Sequence, residues 1–240
     1  LVPGQYSTIQ AAVNAAVTGD TVLVSPGAYD PFQFNGKAIT VKAVEGPRET
    51  FITTSNPNID LMVFEDDEGP YTVLDGFTLY GGNIGIWCQS AGPTIKRCIL
   101  RDQNVTDWAA AVFSGHGYGS VGPSPATLIN VTITGCENGA VSSFSTENIT
   151  IMNSIIAFND DYGIHRHESY APPHLSYNDV YGNPDGNYLG DYFPPGEGTI
   201  SEDPLFLADY SLGASSPCVN AGNPDPAYND PDGSRNDMGA

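Results

Sequence analysis

The stretch from Tyr71 to Asn183 constrains the fold most, because it repeats itself. Strand-like phrases open at Thr72, Thr94, Thr127 and Thr150, at spacings of 22, 33 and 23 residues, and a looser copy opens at His174. The long interval contains an insertion from Gly115 to Pro125. Between these phrases recur Gly85-Ile86-Trp87, Gly139-Ala140-Val141 and Gly163-Ile164-His165, and Asn83, Asn104, Asn138, Asn159 and Asn183 follow the strand pairs. Periods of this size belong to solenoids, propellers or arrays. The phrases alternate, are rich in Thr, Val and Ile, and are punctuated by Gly, Asn, Asp and Ser, so the units are β. No hairpin signal joins the strands of one unit, so each unit pairs with the next. The pattern predicts an all-β, single-stranded parallel β-helix of about seven to nine coils, ~35–45 Å long at ~4.8 Å per coil. Recurrent asparagines suit left-handed corners and hydrogen bonding along the axis. A β-sandwich also has strands that recur with turn signals, but the likeness between copies favours the solenoid.

The first thirty residues read as a lid. Ser7 and Gln10 have capping-box spacing, and Ile9, Ala12, Val13, Ala16 and Val17 share one helical face. Gly19-Asp20 stops the helix, and Thr21 to Val24 forms a buried strand. Such a helix covers an open apolar end and blocks edge-to-edge association. Residues 38–44 and 50–52 read as strands of the first coils. Glu65 to Glu68, four acids in a row, reads as a solvated loop, with a loose calcium site as the alternative. The organisation expected is one β-helix domain: cap and first strand at 1–30, coils at 31–183, and a Pro- and Gly-rich wrap at 184–240.

The segment from Tyr6 to Tyr29 resembles the opening of pectin-lyase-like right-handed parallel β-helix proteins. Asp203 to Phe206, Ser216 to Gly222 and Asp232 to Ala240 resemble the closing segment of secreted microbial β-helix proteins. The resemblance implies right-handed coils. It leaves function open, because the fold hosts lyases, glycosidases, adhesins and structural proteins.

Composition narrows the choices. The chain has 240 residues and a net charge of −20, from 28 acids against 8 Lys and Arg. That balance argues against nucleic acid, which requires a basic footprint. It also disfavours bare anionic glycans unless metal ions intervene, and it suits solubility or a calcium-rich exterior. No stretch is apolar enough to span a membrane. The chain opens at Leu1 with no signal peptide, and a secreted protein whose leader has been removed is the expectation. Cys88, Cys98, Cys136 and Cys218 lack zinc or redox spacing. Cys98 matches Phe77, Val131 and Ser154 in sister units and reads as core; an even count permits disulfides without specifying their pairing.

Several groups could carry chemistry. Asp225, Asp230, Asp232, Asn236 and Asp237 crowd the C-terminal end, and Asp230-Pro231-Asp232-Gly233 looks like half of a calcium loop. Tyr228 stands where the first ligand belongs and no closing Glu follows, so self-capping Asx turns are the alternative. A lyase would need cations near a base, and the candidates are Lys96, Arg97 and Arg101 beside Asp102. Gly115-His116-Gly117 looks like a polygalacturonase phrase, but Asp102 and Asp107 make no convincing carboxyl pair. His165 and His167 share an outward strand face, with Trp87 and Val141 in the His165 column and Trp108 and Tyr170 nearby. Aromatics there could stack on a sugar ring or another molecule, two histidines could hold a transition metal, and a loop-covered flank needs neither. Asn104, Asn130 and Asn148 match the glycosylation pattern as by-products of the repeat. The expectation is a secreted, non-catalytic, self-assembling or glycan-contacting β-helix stabilised by calcium, with a polysaccharide lyase or glycoside hydrolase as the alternative.

Overall fold

The computed structural model describes residues 1–104, 110–115, 123–168, 170–190 and 192–240. One helix, α1 (Ile9–Ala15), precedes three stacked sheets. Sheet A runs from Thr21–Val24 through Thr40–Ala43, Val73–Asp75, Thr94–Lys96, Thr127–Ile129 and Thr150–Met152 to His174–Ser176. Sheet B runs from Gly27–Tyr29 to Asp179–Tyr181, and sheet C from Met62–Phe64 to Gly186–Gly190. Each strand pairs in parallel with the corresponding strand of the next rung, so the chain visits A, B and C in turn. Among the described residues sheets A and B hold seven strands each and sheet C six, about six complete turns. At ~4.8 Å per rung the stack is about 29 Å long. This is shorter than expected, because residues beyond 190 fold back over the flank after only isolated bridges at Glu197 and Ile200.

Strands buried on one face alternate, and their inward residues stack. In sheet A, Val22, Val41, Leu74, Ile95, Leu128, Ile151 and Leu175 form one column. All seven are buried, each contributing about 1.5–3 kcal/mol relative to exposure. Cys98, Phe77, Val131 and Ser154 are buried as predicted. All four cysteines are buried and unpaired.

The repeat phrases need two one-residue corrections. The outward column of sheet A is Val73, Thr94, Thr127, Thr150 and His174, so Thr72 sits one place early. In sheet C, Ile86, Val112, Val141 and Ile164 pair, so Val141 points inward and Ser142 joins Trp87, Phe113 and His165. The small residues that align are Gly85, Ala111, Ala140 and Gly163, not Gly139. A Cβ on Gly163 would meet the Asn187 carbonyl at 2.6 Å, so the close approach requires glycine.

The asparagines divide into two roles. Asn130, Asn153 and Asn138 hold left-handed corners. Asn83, Asn104, Asn159 and Asn183 do not. Asn159 Nδ2 donates to Ile133 O and Asn183 Oδ1, and Asn183 Nδ2 donates to Ile156 O, making a ladder inside the coil. Asn178 Nδ2 donates to Ile151 O at the other corner. These bonds satisfy backbone groups where strands end.

The lid forms, with altered capping. Thr8, not Ser7, caps α1 by accepting from Ala11 N, and Gln10 instead exchanges two hydrogen bonds with the Gln33 backbone. Ile9, Ala12 and Val13 are buried, whereas Val17 lies beyond the helix and is exposed. Lys37 Nζ donates to the carbonyls of Val13, Asn14 and Ala16 at 2.8, 2.8 and 2.9 Å, closing the helix C-terminus with a cation. The acidic run is not wholly solvated: Glu68 is buried and accepts from the Gly36 and Asp66 amides.

Residues 203–240 cover the outer face of sheet B. Ile155 and Ala157 pack there against Cys218 and Met238 in a second small core. Lys37→Met should lower unfolding free energy by about 1–2 kcal/mol in urea titrations, through lost charge-assisted bonds to the lid.

Candidate functional site

Two regions gather the residues that could bind something. The first lies on the outer flank of sheet C. Strand pairing stacks Trp87, Phe113, Ser142 and His165 at successive rungs. Trp87 meets Phe113 edge-on at 6.1 Å, and Phe113 lies 5.5 Å from Phe144. Phe144 stacks on His167 at 3.3 Å, and His167 lies 3.7 Å from His165. Tyr170 stands edge-on to Phe144 at 5.5 Å, and Arg166 Nε donates to its carbonyl. Phe144, His165, Arg166, His167, Glu168, Tyr170 and Gly190 line a recess of about 450 Å³. Alternation in the strand predicted the His165–His167 pairing and the Trp87 column. Phe113 and Phe144 were missed, because the one-residue shift hid their alignment.

Both histidines are shifted toward the neutral form. Burial lowers His165, and burial together with the His165 charge lowers His167 to about 4. Ser142 Oγ lies 3.1 Å from His167 Nε2. The two imidazoles lie against one another at a tilt of 35°, and among the described residues no group of three His, Cys, Asp or Glu is arranged to hold a metal. Trp108, Asp107 and His116 lie outside the described residues.

The second region is a groove of about 910 Å³ between the outer face of sheet A and the C-terminal strap. Lys42, Arg48, Lys96 and Arg97 line one side, and Tyr228, Asn229, Asp230 and Asp237 the other. Asp75 lies between Lys42 and Lys96 in the sheet A column. Its side chain is 3% exposed and pairs with Arg97 at 2.5 Å and Lys96 at 3.8 Å. Asn130 holds the strap by donating to Asn236 Oδ1 and to the Asp237 and Gly239 carbonyls. That bonding engages its amide, so Asn130 does not present a free glycosylation acceptor.

The acids of the strap act as acceptors for their own turns. Asp225 caps Pro226–Tyr228, and Asp232 Oδ1 accepts from Ser234 N and Oγ. Asp230 accepts from Asn236 Nδ2 and Asp237 N, and Asp237 Oδ1 accepts from Asn220 N. Asp230, Asn236 and Asp237 therefore meet, whereas Asp225 and Asp232 serve separate turns. Burial and the Asp237 charge raise the Asp230 pKa.

The lyase candidates separate. Arg101 sits over Tyr80 at 4.5 Å and Tyr210 at 5.6 Å and pairs with Asp102, which pins the wrap. Lys96 and Arg97 face the groove instead. Lys42, Arg48 and Asp75 were missed, since no local pattern announces what a strap from another part of the chain will cover. No helix among the described residues is long and apolar enough to cross a membrane.

A profile described as a right handed beta helix region matches residues 53–192, more than half of the chain. The curated SHC SH2 domain-binding protein 1 homolog B of Xenopus laevis is 26% identical over 177 residues, covering 67% of this chain and 25% of that protein. The chain thus spans about a quarter of that relative's length. No solved structure matches.

The paired histidines imply a measurable pH dependence. Unfolded, His167 takes up a proton near the ordinary histidine value of 6.5; folded, it does so only at about 4. As pH falls through that window the unfolded chain binds the extra proton, so stability declines, then levels below it. His167→Phe should flatten the decline in urea midpoint between pH 6.5 and 4. An unchanged slope would assign the decline to other groups.

Proposed function

The chain belongs to the right-handed β-helix family, and on that premise we propose that it is a secreted, non-catalytic rod that contacts glycans through the flank of sheet C. The recess lined by Phe144, His165, His167 and Tyr170 carries this reading. Its volume of about 450 Å³ falls within the range of small-ligand sites. Its stacked rings offer the apolar faces that sugar C–H groups pack on, and Arg166 and Glu168 add a polar rim. Neutral histidines suit that contact better than charged ones, because a cation would keep water on the platform.

The candidate acids among the described residues are each engaged by a cation or by the backbone, and that engagement favours a binding role. Asp102 is paired with Arg101, Asp75 with Lys96 and Arg97, and the strap acids with backbone amides. Calorimetry against neutral and acidic oligosaccharides should give saturable binding that Tyr170→Ala weakens about tenfold or more, as for loss of a buried aromatic contact. New reducing ends or unsaturated products would replace this reading with the enzymatic alternative, a polysaccharide lyase or glycoside hydrolase.

Calcium belongs to the same reading. Asp230 and Asp237 are close enough for one to raise the other's pKa, and a bound cation would relieve that repulsion. It would also screen a rod of net charge −20 and let copies pack side by side. Excess calcium should raise the Tm of chelator-treated protein, and Asp230→Asn should reduce the rise. An unchanged Tm would leave these carboxylates as turn acceptors alone.

A further inference from the structure

The groove between sheet A and the C-terminal strap is a different surface from the aromatic flank. Its lining contains Lys42, Arg48, Lys96 and Arg97, half of the 8 Lys and Arg in a chain with 28 acids. Chance dispersal over so acidic a surface would surround each cation with carboxylates. Here three cations cluster around one, Asp75.

The charges do not cancel on that wall. Asp75 is shared by Lys96 and Arg97. Arg48 pairs with Asp209 at 3.6 Å and reaches the Ala240 carbonyl at 3.4 Å. Lys42 is exposed and has no ion partner among the described residues. Two positive charges are therefore in excess on the sheet A side. Asp75 Oδ1 is buried without a hydrogen-bond partner, which leaves the cluster short of a donor.

Arg97 sits at the left-handed corner, φ 51°, that carries Gly76, Asn130, Asn153 and Tyr177 in other rungs. From that corner its guanidinium reaches Asp75.

Across the groove, Asp230 and Asp237 turn their oxygens toward N–H groups of their own strap. The lining also holds the aliphatic or thioether side chains of Ile129, Leu212, Val219 and Met238. A sugar chain would want aromatic platforms, and among the described residues Tyr228 is the one aromatic in the lining. An extended peptide fits better. Its carboxylates would meet the cations of one wall and its aliphatic side chains the apolar part of the lining.

We propose that this groove binds an acidic, aliphatic peptide segment, its carboxylates held by Lys42, Lys96 and Arg97. The ligand is an extended stretch of alternating Glu or Asp and Val, Ile or Leu, and binding is salt-sensitive because Lys42 and Arg97 are exposed.

Fluorescence anisotropy tests this with a labelled eight-residue peptide alternating glutamate and valine. A lysine–valine peptide and a short polyuronate serve as competitors. The expected result is saturable binding to the glutamate peptide, weakened about tenfold by the Lys42→Gln, Lys96→Gln pair and by raised salt. Arg97 remains on the Asp75 carboxylate in that double variant, and melting curves check that the coil is kept. Tyr170→Ala should leave this binding unchanged, so failure here and failure of the glycan reading are distinguishable. Equal binding of the lysine peptide, or an unaffected double variant, would overturn the proposal. Binding of the polyuronate with none of the peptide would overturn it in favour of a glycan groove.

Discussion

The backbone hydrogen bonds between successive rungs are the interaction on which everything else rests. A strand three residues long is worthless alone, yet each strand inside the stack pairs with the rung above and the rung below. Parallel pairing demands that the chain travel round a whole coil before it returns, so register is transmitted through corners rather than hairpins. The corners therefore carry unusual backbone, with Gly76, Arg97, Asn130, Asn153 and Tyr177 all at positive φ along one edge. Inside them, Asn159, Asn178 and Asn183 supply the donors that short strands leave wanting. An apolar replacement at such a place would strand buried carbonyls without partners.

A stack built this way is open at both ends and has exposed flanks, and the chain deals with each separately. α1 covers the first rung and is held by Lys37, a residue from the next coil. The C-terminal segment packs over sheet B, where Ile155 would otherwise face water. Asp179, buried in that same face, accepts from Glu202 N and lies 3.3 Å from the Cys218 sulfur. Burial raises the pKa of both groups, which fits a polar contact made in a dry seam. Sheet C's flank acquires a stacked aromatic face. Each flank thus has its own chemistry on a common scaffold, which is how one fold supports unrelated functions.

Much of this architecture was legible in the sequence, for reasons that can be named. Leu128 and Ile151 are inward because β alternation is strict, and their spacing of 23 residues equals one coil. The Trp87–His165 column was legible on the same ground. The places where the reading slipped are single residues: Thr72 for Val73, and Val141 for Ser142. Both lie where one coil differs in length from its neighbour, and a period-two pattern inverts on a slip of one. Ser7 and Thr8 both suit an N-cap, so only the helix start itself could choose between them.

The sequence by itself determined the period, the inward column, the amphipathic lid and the acidic balance, because all are encoded within a coil length. Only the tertiary structure decided that Lys42, Asp75 and Lys96 stand in one column and that Asp230 and Asp237 face them across a groove. The strap reaches Asn130 from more than 100 residues away in the chain. Nothing repeats over that distance, so no local pattern could announce the contact. It follows from where the folded-back chain finds partners for its own backbone groups.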